Sequence, residues 1–410
     1  MNCKLEFPAT TNYTVQLPAS KSISNRVLIL NALSGGSCAI DNVAQCDDTR
    51  SMLAALSDRT GMVNIGAAGT AMRFLTGYFA SLDGRETIID GSERMRHRPI
   101  GILVEALRSC GAEIEYAGEE GFPPLKISGR RLAYSPTLNI PGSVSSQYIS
   151  SLLMIAPTLS SGLAIHLTGH MLSVPYIDMT LALMRQFGAV CSRRNCTIDV
   201  APGCYCAPRH FVVESDWSAA SYWFAIAALM PQSRIVLKGL SDNSVQGDSR
   251  VCQLFEDFGV KTEFTDEGLQ LSGGHKMVDR FECNLSDQPD LAQTMVVAAC
   301  LLDVPFSIGG LTTLKIKETD RIEALRTELG KLGYELSVTD NFAIEWDGRK
   351  MPAMEMPVIA TYDDHRMAMS MSLAALRYPG ITIANMEVVS KSYPDYWKHL
   401  EEAGVKIITE

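Results

Sequence analysis

Lysines and arginines in this sequence gather where helices are expected to begin, and there they could hold small, multiply charged anions. The stretch Pro18-Ala-Ser-Lys21-Ser22-Ile-Ser-Asn25-Arg26 runs into apolar periodicity from about Ile23, which makes its serines N-cap candidates. Lys21 then shares a helix face with Asn25, and Ser22 with Arg26. A helix start exposes unpaired N–H groups and attracts anions. A basic side chain there opposes the helix dipole by about 0.3–1 kcal/mol unless an anion lies between. For one such helix, a solvated lysine is the simpler explanation.

The arrangement recurs, however. Gly66-Ala67-Ala-Gly69-Thr70-Ala-Met-Arg73 is a small-residue loop opening a helix, where glycine lets backbone N–H groups approach a ligand. It is neither a P-loop nor a dinucleotide fingerprint. Lys315-Ile-Lys317-Glu318-Thr-Asp320-Arg321 sets Lys317 and Arg321 one turn apart, a like-charge pair costing roughly 0.2–0.5 kcal/mol that Glu318 or Asp320 could offset. Asp363-Asp364-His365-Arg366 offers aspartate caps and an arginine at another start. Arg94, Arg96 and Arg98 precede Pro99, and Ser143-Val-Ser145-Ser146-Gln147 opens a further helix. Asp287-Gln-Pro289-Asp290-Leu291 carries a proline near N1, and Lys391 leads into the last helix. Surface solvation is a poor account of the full set. Arginine grips phosphate and carboxylate through two bonds, and lysine adds a point charge.

The elements that must position these side chains share one shape: an amphipathic helix, a glycine, then an alternating strand. It appears around Gly111, Gly188, Gly259, Gly333 and Gly404, at intervals of about 71 to 77 residues. Each glycine falls where a helix needs a left-handed C-terminal cap. The spacing exceeds that of a solenoid and fits an α/β module of several strands and two helices. The main domain crossing is expected near Val212-Val-Glu-Ser-Asp216, with no long Pro/Gly/Ser linker.

Bulk composition narrows the function classes. The chain has 410 residues, 46% hydrophobic and 20% charged, which fits a globular protein of two or three domains. The N-terminus shows no basic segment followed by an apolar one, so no signal peptide is expected. The longest apolar runs, near Tyr222–Met230 and Met295–Leu302, fall well short of the roughly twenty residues of a membrane span. A net charge of -10 argues against nucleic acid and makes local basic clusters informative. The eleven cysteines suggest reduced thiols in a cytoplasmic protein. Cys191, Cys196, Cys204 and Cys206 form a group without a C-x-x-C pair; thiols on adjacent strands explain it as well as a zinc site does.

At these motifs the sequence resembles the enolpyruvyl transferase family, and within it the 5-enolpyruvylshikimate-3-phosphate synthases. The matching stretches are Ala19-Ser-Lys-Ser-Ile-Ser-Asn-Arg26, Ala68-Gly-Thr-Ala-Met-Arg73, Arg98-Pro-Ile-Gly101, Gly142-Ser-Val-Ser-Ser-Gln147 and Pro175-Tyr-Ile-Asp178. They continue through Gln246-Gly-Asp248, Lys317-Glu-Thr-Asp-Arg-Ile322, Asp364-His-Arg-Met-Ala-Met369 and Lys391-Ser-Tyr-Pro-Asp395. The resemblance implies an α/β (α+β) protein with the two-domain, inside-out barrel-like fold of that family, three βαβαββ repeats to a domain. One domain would span residues 20–213, inserted into a second made of 1–19 and 214–410, with the active site in the cleft between them.

The resemblance also implies the reaction: transfer of the enolpyruvyl group of phosphoenolpyruvate to shikimate 3-phosphate, without cofactor or metal, by a cytoplasmic monomer. By motif, Lys21, Ser22, Arg26, Ser145, Ser146, Gln147, Ser173, Tyr176, Asp290 and Lys317 would hold shikimate 3-phosphate. Lys21, Gly69, Arg98, Gln147, Arg321, Arg366 and Lys391 would hold phosphoenolpyruvate. Asp290 as base and Glu318 as acid suit a reaction needing two carboxyls in opposite protonation roles, with Lys21 a further proton-transfer candidate. Without that context, Asp290 reads equally as a helix cap and Glu318 as an ion-pair partner of Lys317 or Arg321. Ala67, Phe74, Thr313 and Ser215 depart from residues frequent in the family, and the first three bear on sensitivity to phosphonate inhibitors such as glyphosate. The UDP-N-acetylglucosamine enolpyruvyl transferases would call for a Lys-Asn pair near the start and a loop cysteine, neither of which is found. A phosphometabolite sensor on the same scaffold would be expected to lack Lys21, Glu318 or Asp290.

Overall fold

A computed structural model describes residues 1–132 and 137–410. The chain separates into two compact units, one formed by Met1–Ala19 with Glu214–Glu410 and the other by Ser20–Val213.

The helix-glycine-strand shape has a single hydrogen-bonding cause. At Gly111 the glycine N–H donates to the Arg108 carbonyl at 2.8 Å and the next N–H, of Ala112, to Leu107 at 3.0 Å. These are the two bonds of a Schellman cap, which needs a left-handed residue at the glycine. The same pair recurs at Gly188, Gly259, Gly333 and Gly404, with φ between 83° and 95° across the five. A sixth copy, missing from the sequence reading, closes the first helix: Gly35 (φ 87°) donates to Ala32 and Gly36 to Asn31. It lies 76 residues before Gly111, in step with the others. The two consecutive glycines and the short strand after them, Ala39–Asp41, disguised it.

Among the described residues the strands form six sheets, five of them four-stranded with one topology. In Met62–Asn64, Glu86–Asp90, Leu125–Ser128 and Glu113–Tyr116, the first two strands are parallel and the remaining pairings antiparallel. The parallel pair needs a crossover, supplied by the helix Gly69–Ala80. The strand that follows each capping glycine takes the far edge. The exception is Ala39–Asp41, which pairs only with His210–Val212.

Strands alternate buried and exposed residues, whereas certain helices are buried nearly throughout, so in each unit helices fill the inside and open sheets cover it. Trp217–Leu229 and Ala292–Leu301 are apolar on all sides, as interior helices must be. In the Ser20–Val213 unit, Gly69–Ala80 packs against Ser146–Ile155 so closely that a Cβ on Gly77 would stand 2.5 Å from Ser151 Oγ. No described helix is long and apolar enough to cross a membrane.

Candidate active site

Each unit gathers several helix starts at one point. In Ser20–Val213 the meeting point is Arg26, 2% exposed, on the helix Lys21–Leu33. Its Nε donates to Thr180 Oγ1 at 2.7 Å, and its Nη2 to Ser150 Oγ and the Tyr176 carbonyl, both at 3.3 Å. Its Nη1 donates to the Ser22 carbonyl at 2.9 Å, and the guanidinium lies 5.2 Å from the Phe74 ring centre. Burial pulls the pKa of Arg26 down to about 10, partly countered by Tyr176, so the side chain remains cationic at neutral pH. Phe74, which stands where proline is frequent in the family, thus has a defined role as the ring beneath this cation.

The other expected residues of this unit cluster on the same helix starts. Ser145 caps Ser146–Ile155 by accepting from the Gln147 N–H at 3.3 Å, and Gln147 Nε2 reaches Thr70 Oγ1 at 3.1 Å. Ser173, at φ 55°, precedes the helix Val174–Gln186 that carries Tyr176. Lys21 Nζ lies 3.4 Å from Asp48, a buried carboxylate for which the sequence offered no signal. Gly69 is dictated by Arg98, because a Cβ there would sit 2.8 Å from Nη1 and 3.0 Å from Cζ. Arg73, 4% exposed, instead braces the loop by donating to the Gly69 and Pro99 carbonyls at 3.3 and 3.0 Å.

The second unit centres on Arg321, 2% exposed, at the start of Arg321–Lys331. Its Nε donates to Asp364 Oδ2 at 2.7 Å and its Nη2 to Glu318 Oε2 at 2.9 Å, while Nη1 stands 3.4 Å from Asp290 Oδ1. Burial alone would lower its pKa, but Asp364, Glu318 and Asp290 together hold it above the usual arginine value. Asp290 also accepts from Arg366 Nη2 at 2.8 Å and lies 3.8 Å from Lys317 Nζ. Three cations therefore surround the Asp290 carboxylate. Lys391 ends the 3-10 turn Met386–Lys391, which packs on the Arg366 helix, and no ion pair engages it among the described residues.

Arg366 is aimed by a strained approach. Tyr362 and Asp363 are successive left-handed residues at φ 56° and 53°, each costing roughly 1–3 kcal/mol. The buried Glu328 holds them, accepting from Tyr362 Oη at 2.7 Å and the Ala360 N–H at 3.0 Å, while Asn385 Nδ2 donates to Asp363 at 2.6 Å. Asp364 then caps the helix His365–Ser372 by accepting from the Arg366 N–H at 2.9 Å. From the sequence Asp364 is a helix cap; its grip on Arg321 needs the fold. Thr313 lies in the 3-10 turn Thr312–Ile316 just ahead of Lys317, and Ala67 in the loop before Gly69.

Elsewhere, Cys191 lies on a strand and Cys204 and Cys206 are exposed. Among the described residues, no group of three or more His, Cys, Asp or Glu is placed to hold a metal ion.

The two constellations, a buried guanidinium among hydroxyls and carbonyls in one unit and carboxylates ringed by guanidinium and ammonium groups in the other, suit small polyanions and proton transfer. The EPSP synthase family model, 3-phosphoshikimate 1-carboxyvinyltransferase, matches residues 6–58 and 57–400. The chain belongs to this family. It is 52% identical over 410 residues to the 3-phosphoshikimate 1-carboxyvinyltransferase of Bacteroides fragilis strain YCH46, covering 99% of both chains. The enzyme of the same name from Aeromonas salmonicida strain A449 is 37% identical over 94% of this chain and 95% of its own. Among solved structures, EPSP synthase from Acinetobacter baumannii superposes with a TM-score of 0.80 at 21% identity over the whole of both chains. The enolpyruvyl transferase NikO from Streptomyces tendae gives 0.73 at 16% identity, over 99% and 98%. These last two likenesses establish the fold, a mixed α/β architecture of the enolpyruvyl transferase kind.

Proposed function

We propose that the protein transfers the enolpyruvyl group of phosphoenolpyruvate to the 5-hydroxyl of shikimate 3-phosphate and releases phosphate, a step in making aromatic amino acids. Membership of the EPSP synthase family carries the reaction. The observation that supports the assignment of roles is the Asp290 carboxylate among Lys317, Arg321 and Arg366, with Glu318 on the far side of Arg321.

Asp290 takes the proton of the attacking hydroxyl as its oxygen bonds to C2 of phosphoenolpyruvate, while Glu318 gives a proton to the C3 methylene. The product is a tetrahedral ketal. The bond from C2 to the phosphate oxygen then breaks, C3 returns a proton, and the double bond re-forms on the new ether. Cations at Lys21, Arg98, Arg321, Arg366 and Lys391 hold the donor's phosphate and carboxylate and stabilise the charge that develops. Ser22, Arg26, Ser145, Ser146, Gln147, Ser173, Tyr176 and Lys317 hold the acceptor. These residues are divided between the two units. A cytoplasmic monomer is the simplest form of such an enzyme.

The test is phosphate release with both substrates, each omitted in turn, and without added metal. Release should require both. Asp290→Asn and Glu318→Gln should each lower kcat by roughly 10²–10⁴-fold, the usual worth of a proton-transfer group. A Glu318→Gln enzyme of undiminished kcat would remove that residue from the acid role.

A further inference from the structure

Behind Asp290 lies a second carboxyl that the reaction above leaves unused. The turn Gly247–Arg250 is fastened on both sides. Before it, the buried Gln246 donates to Glu214 Oε2 at 2.9 Å and the Ser215 carbonyl at 2.8 Å, and accepts from the Trp217 N–H at 3.3 Å. After it, Arg250 Nη1 donates to the Asn284 carbonyl at 3.1 Å and Gln288 Oε1 at 2.9 Å, which ties the turn to the segment just ahead of Asp290. Between these anchors Asp248 is 4% exposed. Its Oδ2 accepts from the Ser218 hydroxyl, whereas its buried Oδ1 has no hydrogen-bond partner among the described residues.

A carboxylate so placed would be a buried charge without a direct cation, which costs several kcal/mol, and the group escapes by keeping its proton. The charged groups around it are Asp290 from the turn Pro289–Leu291, Arg366 from the helix His365–Ser372 and Asp216 at the start of Trp217–Leu229. On its own side Arg250 is engaged with Asn284 and Gln288, and Glu214 with Gln246. Burial first, then repulsion from Asp290, push its pKa up to about 7; the Ser218 bond and Arg366 oppose this, and Asp216 adds to it.

We propose that Asp248 is a positioning residue for Asp290 and Arg366, a buried acid whose ionisation adds negative charge behind them and weakens the grip on phosphoenolpyruvate. This rests on the phosphoenolpyruvate-binding role of Arg366 given above. As pH rises, Asp248 loses its proton and the Arg366 cluster loses net attraction for an anion. Below that range the carboxyl is neutral and the site keeps its full positive character.

The KM for phosphoenolpyruvate at saturating shikimate 3-phosphate would be measured from pH 6 to 9 for wild type, Asp248→Asn and Ser218→Ala. The ratio of wild type to Asp248→Asn cancels the titration of the substrate itself. It should rise several-fold across the range, with an inflection near pH 7. Ser218→Ala, which removes the hydroxyl favouring the anion, should move the wild-type inflection to higher pH. A ratio that stays constant with pH means Asp248 only holds the turn in place, and overturns the proposal; so does a Ser218→Ala inflection that does not move. If Asp248→Asn fails to fold, Ser218→Ala alone decides. A wild-type protein inactive with both substrates would instead sink the functional reading on which this one stands.

Discussion

At the scale of single residues, the site is a set of pairings in which one group dictates its neighbour. Gly69 has no freedom because the Arg98 guanidinium occupies the place of its Cβ. In Gly69→Ala the arginine tip, being flexible, moves aside rather than unfolding the loop. The hold on the donor proposed for Arg98 is then lost. The expected outcome is a KM for phosphoenolpyruvate at least about tenfold higher, or ~1.4 kcal/mol of binding, with shikimate 3-phosphate affinity nearly unchanged. Initial rates with each substrate varied in turn would check it, and equal losses for both substrates would count against a local effect. Residue types and motif order announced most of these side chains. Asp48 and Glu328 were not announced, and Phe74 only as a departure from the family, because an ion-pair partner, a brace for a strained loop and a ring beneath a cation acquire meaning only from contacts distant in sequence.

At the scale of elements, five of the six glycine Schellman caps turn a helix into the edge strand of a four-stranded sheet, and they are not equally constrained. Gly259 (φ 83°) would place a Cβ 2.3 Å from the His275 carbonyl oxygen, while Gly404 (φ 95°) meets nothing nearer than Pro8 at 3.5 Å. Both lie in the same unit. Gly404→Ala should cost only the left-handed penalty of about 1–2 kcal/mol. Gly259→Ala must also shift backbone, and should cost clearly more. Urea-unfolding midpoints of the two variants, read against wild type, make the comparison; equal losses would show that the clash relaxes freely. The glycine period was legible because helix capping is a local matter. The first copy was obscured by its double glycine and short strand, and strand partners could not be read at all, since pairing joins segments far apart in the chain.

At the scale of the whole molecule, each unit has its own buried helices, and the chain passes between units at Ala19–Ser20 and Val213–Glu214. Calorimetry without ligand should resolve two unfolding transitions. Most of the proposed shikimate 3-phosphate ligands lie in Ser20–Val213, so this ligand alone should raise chiefly that unit's transition, whereas both substrates together should raise both. A single transition that moves uniformly with either ligand would show that the units unfold as one body.

The sequence by itself determined the family, the chemistry its motifs imply, the period of the fold and the helix starts that bear charge. All of these depend on residue identity or on contacts within a few positions, and they survive reading the chain as a line. Only the tertiary structure decided how the charges are apportioned. Arg321 is buried against three carboxylates and Arg26 against neutral hydroxyls and a ring. Asp290 is shared among three cations, while among the described residues Asp248 has a single hydroxyl as its hydrogen-bond partner. Electrostatic environment depends on distance and burial, and neither is a property of any stretch of sequence.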